Sequence, residues 1–188
     1  RTEDDAEKFS YFTDFEKPGF PQGWTVEGDG LVHGYVENGT PLISLTGDTL
    51  IDELLQHGYH THSLSSKLGG ALRLPEQADL PGQFISMELR GGKWAGHLSV
   101  PQNAFQNETI SFLTPGAPSE WISIEDSKLK NGVTSMYTQV VTASLNSNFP
   151  PRMGRALVGE VKLPAEDDGL NHRSWFSLTG IATHDEEG

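Results

Sequence analysis

The sequence has no cysteine among its 188 residues. This absence excludes a disulfide scaffold, a zinc site built on thiolates, a covalent haem attachment motif and a cysteine nucleophile. The sequence also lacks an apolar run of the roughly 18 residues that a membrane-spanning helix needs. It contains neither the Gly-x-Ser-x-Gly motif of serine hydrolases nor the acidic-x-acidic-x-x-acidic strand pattern of jelly-roll glucanases. We therefore assign no catalytic residue, although a Ser-His-Asp triad scattered along the chain stays open.

Positive charge is scarce. Lys and Arg number 13 against 26 Asp and Glu, which gives a formal net charge of -13. Without a basic stripe, binding to nucleic acid is not expected, and neither is insertion into or attachment to an anionic membrane. A neutral glycan or a cation is compatible with this charge. Much of the acidity lies in three solvated segments, of which residues 1–8 are interpreted as a flexible acidic tail.

Turn-forming residues are abundant, with 21 Gly and 11 Pro, while hydrophobic residues make up 35% of the chain. This balance is typical of all-β domains. The strongest predicted strand is 83–90, where Ile85, Met87 and Leu89 alternate with polar neighbours. One short helix is predicted over residues 49–57, because Leu50, Leu54 and Leu55 would share one of its sides. The other predicted strands cover residues 9–16, 24–27, 31–36, 42–45, 63–74, 93–100, 109–113, 121–125, 135–143 and 175–183.

No repeat or linker interrupts these elements, so residues 9–188 are interpreted as one domain. The aromatic opening strand and the Trp24 strand that follows it are typical of jelly-roll binding modules. The expected fold is therefore an all-β, antiparallel β-sandwich of jelly-roll type, concanavalin-like or galactose-binding-like, with one short helix. Since the chain begins without Met or a signal peptide, we expect a domain excised from a longer polypeptide.

Three stretches of the chain carry a family resemblance. They are residues 58–75, which begin Gly58-Tyr59-His60-Thr61-His62, residues 83–94, which end Gly91-Gly92-Lys93-Trp94, and residues 173–185, which contain Ser174-Trp175-Phe176. In this order they resemble a region of large planctomycete proteins that join a cytochrome c-like domain to planctomycete-specific domains of unknown function. The resemblance implies an inserted lectin-like or carbohydrate-binding-like β-sandwich in an exported bacterial protein, periplasmic or extracellular.

Two sets of residues could bind a metal. In many jelly-roll modules an early acidic residue and a late aspartate hold a structural calcium. Asp14 and Glu16 fit the early position, but Thr179 stands where the late aspartate is expected, so Asp185 would have to replace it. The second set is His60 and His62, which would share one strand face and could bind zinc or copper. We favour the simpler interpretation of two unrelated histidines at a surface or loop edge.

The tryptophans offer a candidate sugar site, because sugar rings stack on exposed aromatic faces. Trp24 and Trp175 lie in apolar strands and are expected in the core, and Trp121 starts a strand. Trp94 lies in a turn and is the first choice, with Tyr137, His97 and Arg90 as polar companions. The alternative is that Trp94 packs under a loop.

The expected function is thus a non-catalytic module of an exported multidomain protein, with a polysaccharide or neighbouring domains of the same polypeptide as partners. A carbohydrate-binding role comes first, and a purely structural scaffold is the alternative. A polysaccharide-active enzyme is the third hypothesis. No cofactor is certain, and a structural calcium stays open.

Overall fold

The computed structural model describes residues 9, 11–13, 15, 18–44, 47–92, 94–102, 109–124, 135–146 and 174–185. These residues form thirteen strands and three short 3-10 turns, at Asp29–Leu31, Gln77–Asp79 and Ala143–Leu145. The strands are β1 (Tyr11–Thr13), β2 (Thr25–Glu27), β3 (Tyr35–Val36), β4 (Thr40–Ile43), β5 (Ile51–Leu55), β6 (Gly58–His60), β7 (Ala71–Glu76), β8 (Phe84–Gly91), β9 (Ala95–Pro101), β10 (Thr109–Phe112), β11 (Glu120–Ile124), β12 (Met136–Thr142) and β13 (Phe176–His184).

Two antiparallel sheets contain all but two of these strands. The six-stranded sheet runs β11-β8-β13-β6-β3, and β1 also pairs with β13; the five-stranded sheet runs β10-β9-β12-β7-β2. From β6 to β9, and again from β10 to β13, each successive strand lies in the other sheet. This alternation is how a jelly roll connects its two layers. The predicted all-β sandwich of jelly-roll type is confirmed.

The core lies between the two sheets. On β8, Ile85, Met87 and Leu89 are buried and point inward, while the residues between them are half-buried on the other face. Leu72 and Val140 meet them from the five-stranded sheet. This period-two burial confirms the strand predicted over 83–90.

Aromatic rings close one side of the core around the buried Tyr59. Its ring stacks on Phe20 at 4.5 Å between centroids and meets Phe15 edge-on at 4.8 Å. Trp24 packs against the same cluster and meets Phe15 at 5.8 Å. Trp24 is therefore part of the core, as predicted.

The predicted helix over residues 49–57 is wrong. Residues Ile51–Leu55 form β5, which pairs antiparallel with β4 from Thr40↔Leu55 to Ile43↔Ile51. The three leucines do not share a face, because Leu55 is buried whereas Leu50 and Leu54 are exposed. A helix this short is marginal by itself, and a neighbouring strand supplies better backbone partners.

Two hydroxyls of the five-stranded sheet give a test of the core. Ser99 and Thr138 are cross-strand partners on the face that carries Val140, and both are buried. Neither hydroxyl finds a hydrogen-bond partner within the described ranges. Thr142 lies further along β12 on the same face, and its hydroxyl accepts a hydrogen bond from the Gly70 N–H at 3.0 Å.

We expect Thr138→Val to raise the free energy of unfolding by about 1 kcal/mol, because it removes an unpaired buried hydroxyl without changing the shape of the side chain. Thr142→Val is the control and should lower it by about 2 kcal/mol, because it leaves the Gly70 N–H unpaired. Urea unfolding measures both. Equal destabilisation by the two variants would show that Thr138 has a partner after all.

Candidate functional site

The four predicted ligand-binding residues lie in three different places. Trp94 and Tyr137, 8% and 4% exposed, pack in one apolar cluster with Leu98, Val100 and Val141. This cluster lies on the outer face of the five-stranded sheet, since Val141 points away from its neighbour Val140 in the core.

His97 pairs with Val140 and so points to the opposite side of that sheet from Trp94. Burial lowers the pKa of its imidazole to about 4. Arg90 lies on the other sheet. The structure thus brings together Trp94 and Tyr137 but not all four residues, and a role for them in binding stays a prediction.

One of the three residues predicted to bind calcium lies within the described part of the chain. Asp14 and Glu16 lie outside the described residues, and Asp185 is exposed just after β13. Thr179 donates a hydrogen bond to Glu88 Oε2 at 2.8 Å. Within the described part of the chain, no group of three or more His, Asp or Glu side chains could hold a metal ion.

The outward side of the six-stranded sheet presents a polar surface, which we call the outer polar face. Strand alternation on β8 and β13 places polar side chains here, opposite the core positions. Register with the neighbouring strands adds His60 from β6 and both Trp121 and Ser123 from β11. The outer polar face consists of His60, Ser86, Glu88, Arg90, Trp121, Ser123, Ser177, Thr179, Gly180 and His184.

An exposed tryptophan lies over a glycine at the centre of this face. Trp121 pairs with Glu88 across β11 and β8, and its side chain is 46% exposed. A Cβ on Gly180 would lie 2.8 Å from Trp121 Cη2 and 2.9 Å from Cζ2. The indole can therefore rest against the sheet only because residue 180 has no side chain.

A hydrogen-bonded chain of three side chains lies beside this ring. The β-bulge between Leu178 and Gly180 adds Thr179 to the strand. The Thr179 hydroxyl donates to Glu88 Oε2, and Ser119 Oγ lies 3.3 Å from Thr179 Oγ1 and donates to it. Glu88 Oε1 accepts no hydrogen bond from any described residue. This oxygen is an acceptor left over after the internal contacts are made.

The β4–β5 hairpin is attached at one end of the outer polar face. Glu53 of β5 forms an ion pair with Arg90, whose guanidinium lies 5.6 Å from the centroid of the Trp175 ring. Gln56, just after β5, accepts a hydrogen bond from His60 Nε2 at 2.8 Å. The charge of Arg90 is therefore already matched within the fold.

His60 and Ser177 form a buried pair under this end. Since His60 Nε2 donates to a carbonyl, Nδ1 accepts from Ser177 Oγ at 2.7 Å. Both side chains are almost fully buried. A substrate carbonyl could not reach Ser177 Oγ in this conformation, so the pair is a structural contact rather than a nucleophile and base.

The histidine pair lies inside the protein and not at a surface or loop edge, which corrects the simpler interpretation. His62 packs on Trp175 with 4.1 Å between ring centroids, and neither of its nitrogens has a hydrogen-bond partner among the described residues. Burial lowers the pKa of His60 to about 4 and, with the charge of His60, that of His62 to about 3. Both rings are neutral at pH 7.

Sequence reasoning missed Trp121 as a site residue. The polar alternation of Ser86, Glu88 and Arg90 on the best predicted strand was the available signal, because it marks a solvent-directed sheet face. The glycine beneath the ring lies about sixty residues further along the chain, so local sequence could not connect the two.

Comparisons with known proteins give a structural match but no match by sequence. No family model matches the chain, and no curated protein matches it by sequence. One solved structure, the "Crystal structure of a two-domain esterase (CEX) active on acetylated mannans", is similar with a TM-score of 0.41 and 12% identity, over 96% of this chain and 38% of that one. At this level the match assigns no activity. Within the described residues, no helix is long and apolar enough to cross a membrane.

The buried histidines predict a loss of stability in acid. In the unfolded chain each imidazole takes up a proton near pH 6.5, but in the fold only near pH 4 or 3. The unfolded state binds more protons in between, so stability present above pH 6.5 is lost as the pH falls towards those values. Each histidine contributes a slope of up to about 1.4 kcal/mol per pH unit.

We expect His62→Leu to reduce the pH dependence of the unfolding free energy between pH 6 and 4. The reduction should correspond to the uptake of about one proton on unfolding, or about 1.4 kcal/mol per pH unit. His33→Gln, a change at an exposed position, is the control and should leave the slope closer to that of the wild type. Urea unfolding at several pH values measures the slope. An unchanged slope in His62→Leu would contradict the assignment of His62 as a neutral buried ring.

Proposed function

We propose that this chain is a non-catalytic carbohydrate-binding module that holds a polysaccharide on the outer polar face. The exposed indole of Trp121, supported by Gly180, is the observation that carries the proposal. In keeping with the sequence resemblance, we place the module in an exported planctomycete-type multidomain protein, with catalysis or electron transfer left to its other domains.

The geometry around Trp121 supports sugar recognition. A sugar ring buries its C–H face on an aromatic plane, and neighbouring polar groups then fix its orientation. Here Glu88 lies across the strand pair from Trp121, and Ser119 and Thr179 hold the Glu88 carboxylate in place. Because these groups are already ordered, binding would cost little side-chain entropy.

The scaffold role is a second candidate with an observation of its own. The β4–β5 hairpin exposes four large apolar side chains, Ile43, Leu50, Ile51 and Leu54. Exposed apolar clusters of this kind often mark contacts with another protein surface. The two roles are compatible, because these four side chains lie on β4, β5 and the segment between them, whereas Trp121 lies on β11.

Trp121→Ala should lower affinity for the bound glycan at least about tenfold, because the stacking surface is lost. Phe112→Ala is a matched control: Phe112 is 45% exposed, also on an edge strand, but in the other sheet. A glycan array followed by titration calorimetry measures both. Absence of binding at millimolar glycan, or equal loss in the two variants, would remove the proposed function.

Gly180→Ala tests the support beneath the ring without removing the ring. The added methyl group would meet the far end of the Trp121 side chain, which can move outwards, so folding should survive. The displaced indole should bind glycan several-fold more weakly, by about 1 kcal/mol or more. Wild-type affinity in this variant, with an unchanged melting temperature, would show that the position of the ring is not used.

A further inference from the structure

We infer that the outer polar face takes an uncharged polysaccharide and rejects uronic-acid and sulfated ones, with Glu88 as the residue that sets this preference. The inference rests on the proposed function, since it names the class of glycan for the same site. It follows from which atoms beside Trp121 are still available and which charges are already matched.

The Glu88 carboxylate lies next to Trp121 on the outer polar face. Directly paired residues on antiparallel strands have Cβ atoms about 5 Å apart, so a ring stacked on Trp121 extends over Glu88. Thr179 occupies Oε2, while Oε1 accepts no hydrogen bond from the described residues. A carboxylate oxygen accepts hydrogen bonds and donates none. The ligand atoms above it must therefore be donors, which hydroxyl groups are and carboxylate or sulfate groups are not.

The outer polar face as defined offers no unmatched counter-ion to an anionic sugar. Arg90 is the one Lys or Arg on the outer polar face as defined, and Glu53 already neutralises it. His60, on the same face, is neutral at pH 7 because burial lowers its pKa to about 4. Among the described residues of this face, an anionic sugar over Trp121 would thus meet Glu88 and no unmatched positive charge that offsets the repulsion. The overall charge of -13 acts in the same direction.

The same site suits an uncharged sugar better than a cationic one. An ammonium group is bound best where several carboxylates or an aromatic cage converge. On this face one carboxylate, that of Glu88, lies beside one exposed aromatic ring. One of its two oxygens already accepts a hydrogen bond from the Thr179 hydroxyl. Such a site can orient a sugar hydroxyl but offers little to hold a full positive charge.

The experiment compares matched ligands. Oligomers of galacturonic, mannuronic and glucuronic acid are each measured beside their carboxyl-reduced forms, which carry a hydroxymethyl group in place of the carboxylate. We expect at least one reduced form to bind the wild-type protein, at least about tenfold more tightly than its acid partner. We expect chitosan oligomers to bind no more tightly than that reduced form in 0.15 M salt.

Glu88→Gln keeps an acceptor for Thr179 and removes the charge. It should narrow the difference between acid and reduced oligomers at least about threefold, mainly by improving the binding of the acid. Glu120→Gln is the control, because it removes the same charge one residue from Trp121 on a side chain that points to the opposite side of the sheet. Raising the salt concentration to 1 M should narrow the wild-type difference too, since screening then acts within about 3 Å.

The outcomes separate the two proposals. If no reduced oligomer binds, or if Trp121→Ala binds like the wild type, the proposed function fails and this inference fails with it. If glycan binding depends on Trp121 but acid or chitosan oligomers bind as well as the reduced ones, only the inference is overturned. The same holds if Glu88→Gln and Glu120→Gln have equal effects.

Discussion

The pairing of β13 with β8 is the contact on which the rest of the structure depends. Its inward residues, among them Met87 and Ile181, form the middle of the core, and its outward residues form the centre of the outer polar face. The bulge between Leu178 and Gly180 shifts the register once along this pair. It adds Thr179, which orients Glu88, and sets Gly180 directly opposite Glu88 and beneath Trp121. Core and site are therefore two consequences of one strand pairing.

The two sheets use their outward faces differently. On the five-stranded sheet this face carries a buried apolar cluster around Val100 and Val141, whereas on the six-stranded sheet it carries hydroxyl, carboxylate and guanidinium groups. Polar groups on a sheet face need partners or solvent, and most of those on the outer polar face have a partner within the fold. Glu88, with the acceptor Oε1, and the exposed aromatic surface of Trp121 are cross-strand neighbours. This coincidence, more than any single residue, distinguishes the Trp121 region from an ordinary solvated sheet face.

The sequence predicted local features better than their assembly. The period-two pattern of 83–90 is a property of that segment alone, and the structure reproduces it as β8. The leucine spacing at 50, 54 and 55 is equally local, but the β4 strand that competes for the same backbone decided the outcome. The site depends on contacts between β8, β11 and β13, which lie up to about ninety residues apart. Four residues were predicted to bind a sugar: Trp94, His97, Tyr137 and Arg90. Of these, Arg90 alone lies on the outer polar face. Long-range strand pairing decides which sheet each strand joins and which aromatic side chain stays exposed. The sequence of a single segment does not determine that pairing.

Exposure changes along the outer polar face, and this change separates structural from functional polar groups. Under the hairpin, Ser177, His60 and His62 are buried, and the pKa values of both imidazoles are lowered so far that the rings stay neutral. Neutral rings can be packed there without the large cost of a buried charge. The hairpin itself is joined to this end through Glu53 and Arg90, which removes the one guanidinium of the face from ligand binding. Towards Trp121 the cover ends, and a carboxylate oxygen and an indole meet the solvent. Among the described residues, a ligand would therefore find a hydrogen-bond acceptor and an apolar plane but no unmatched positive charge, and an uncharged sugar can match such a surface.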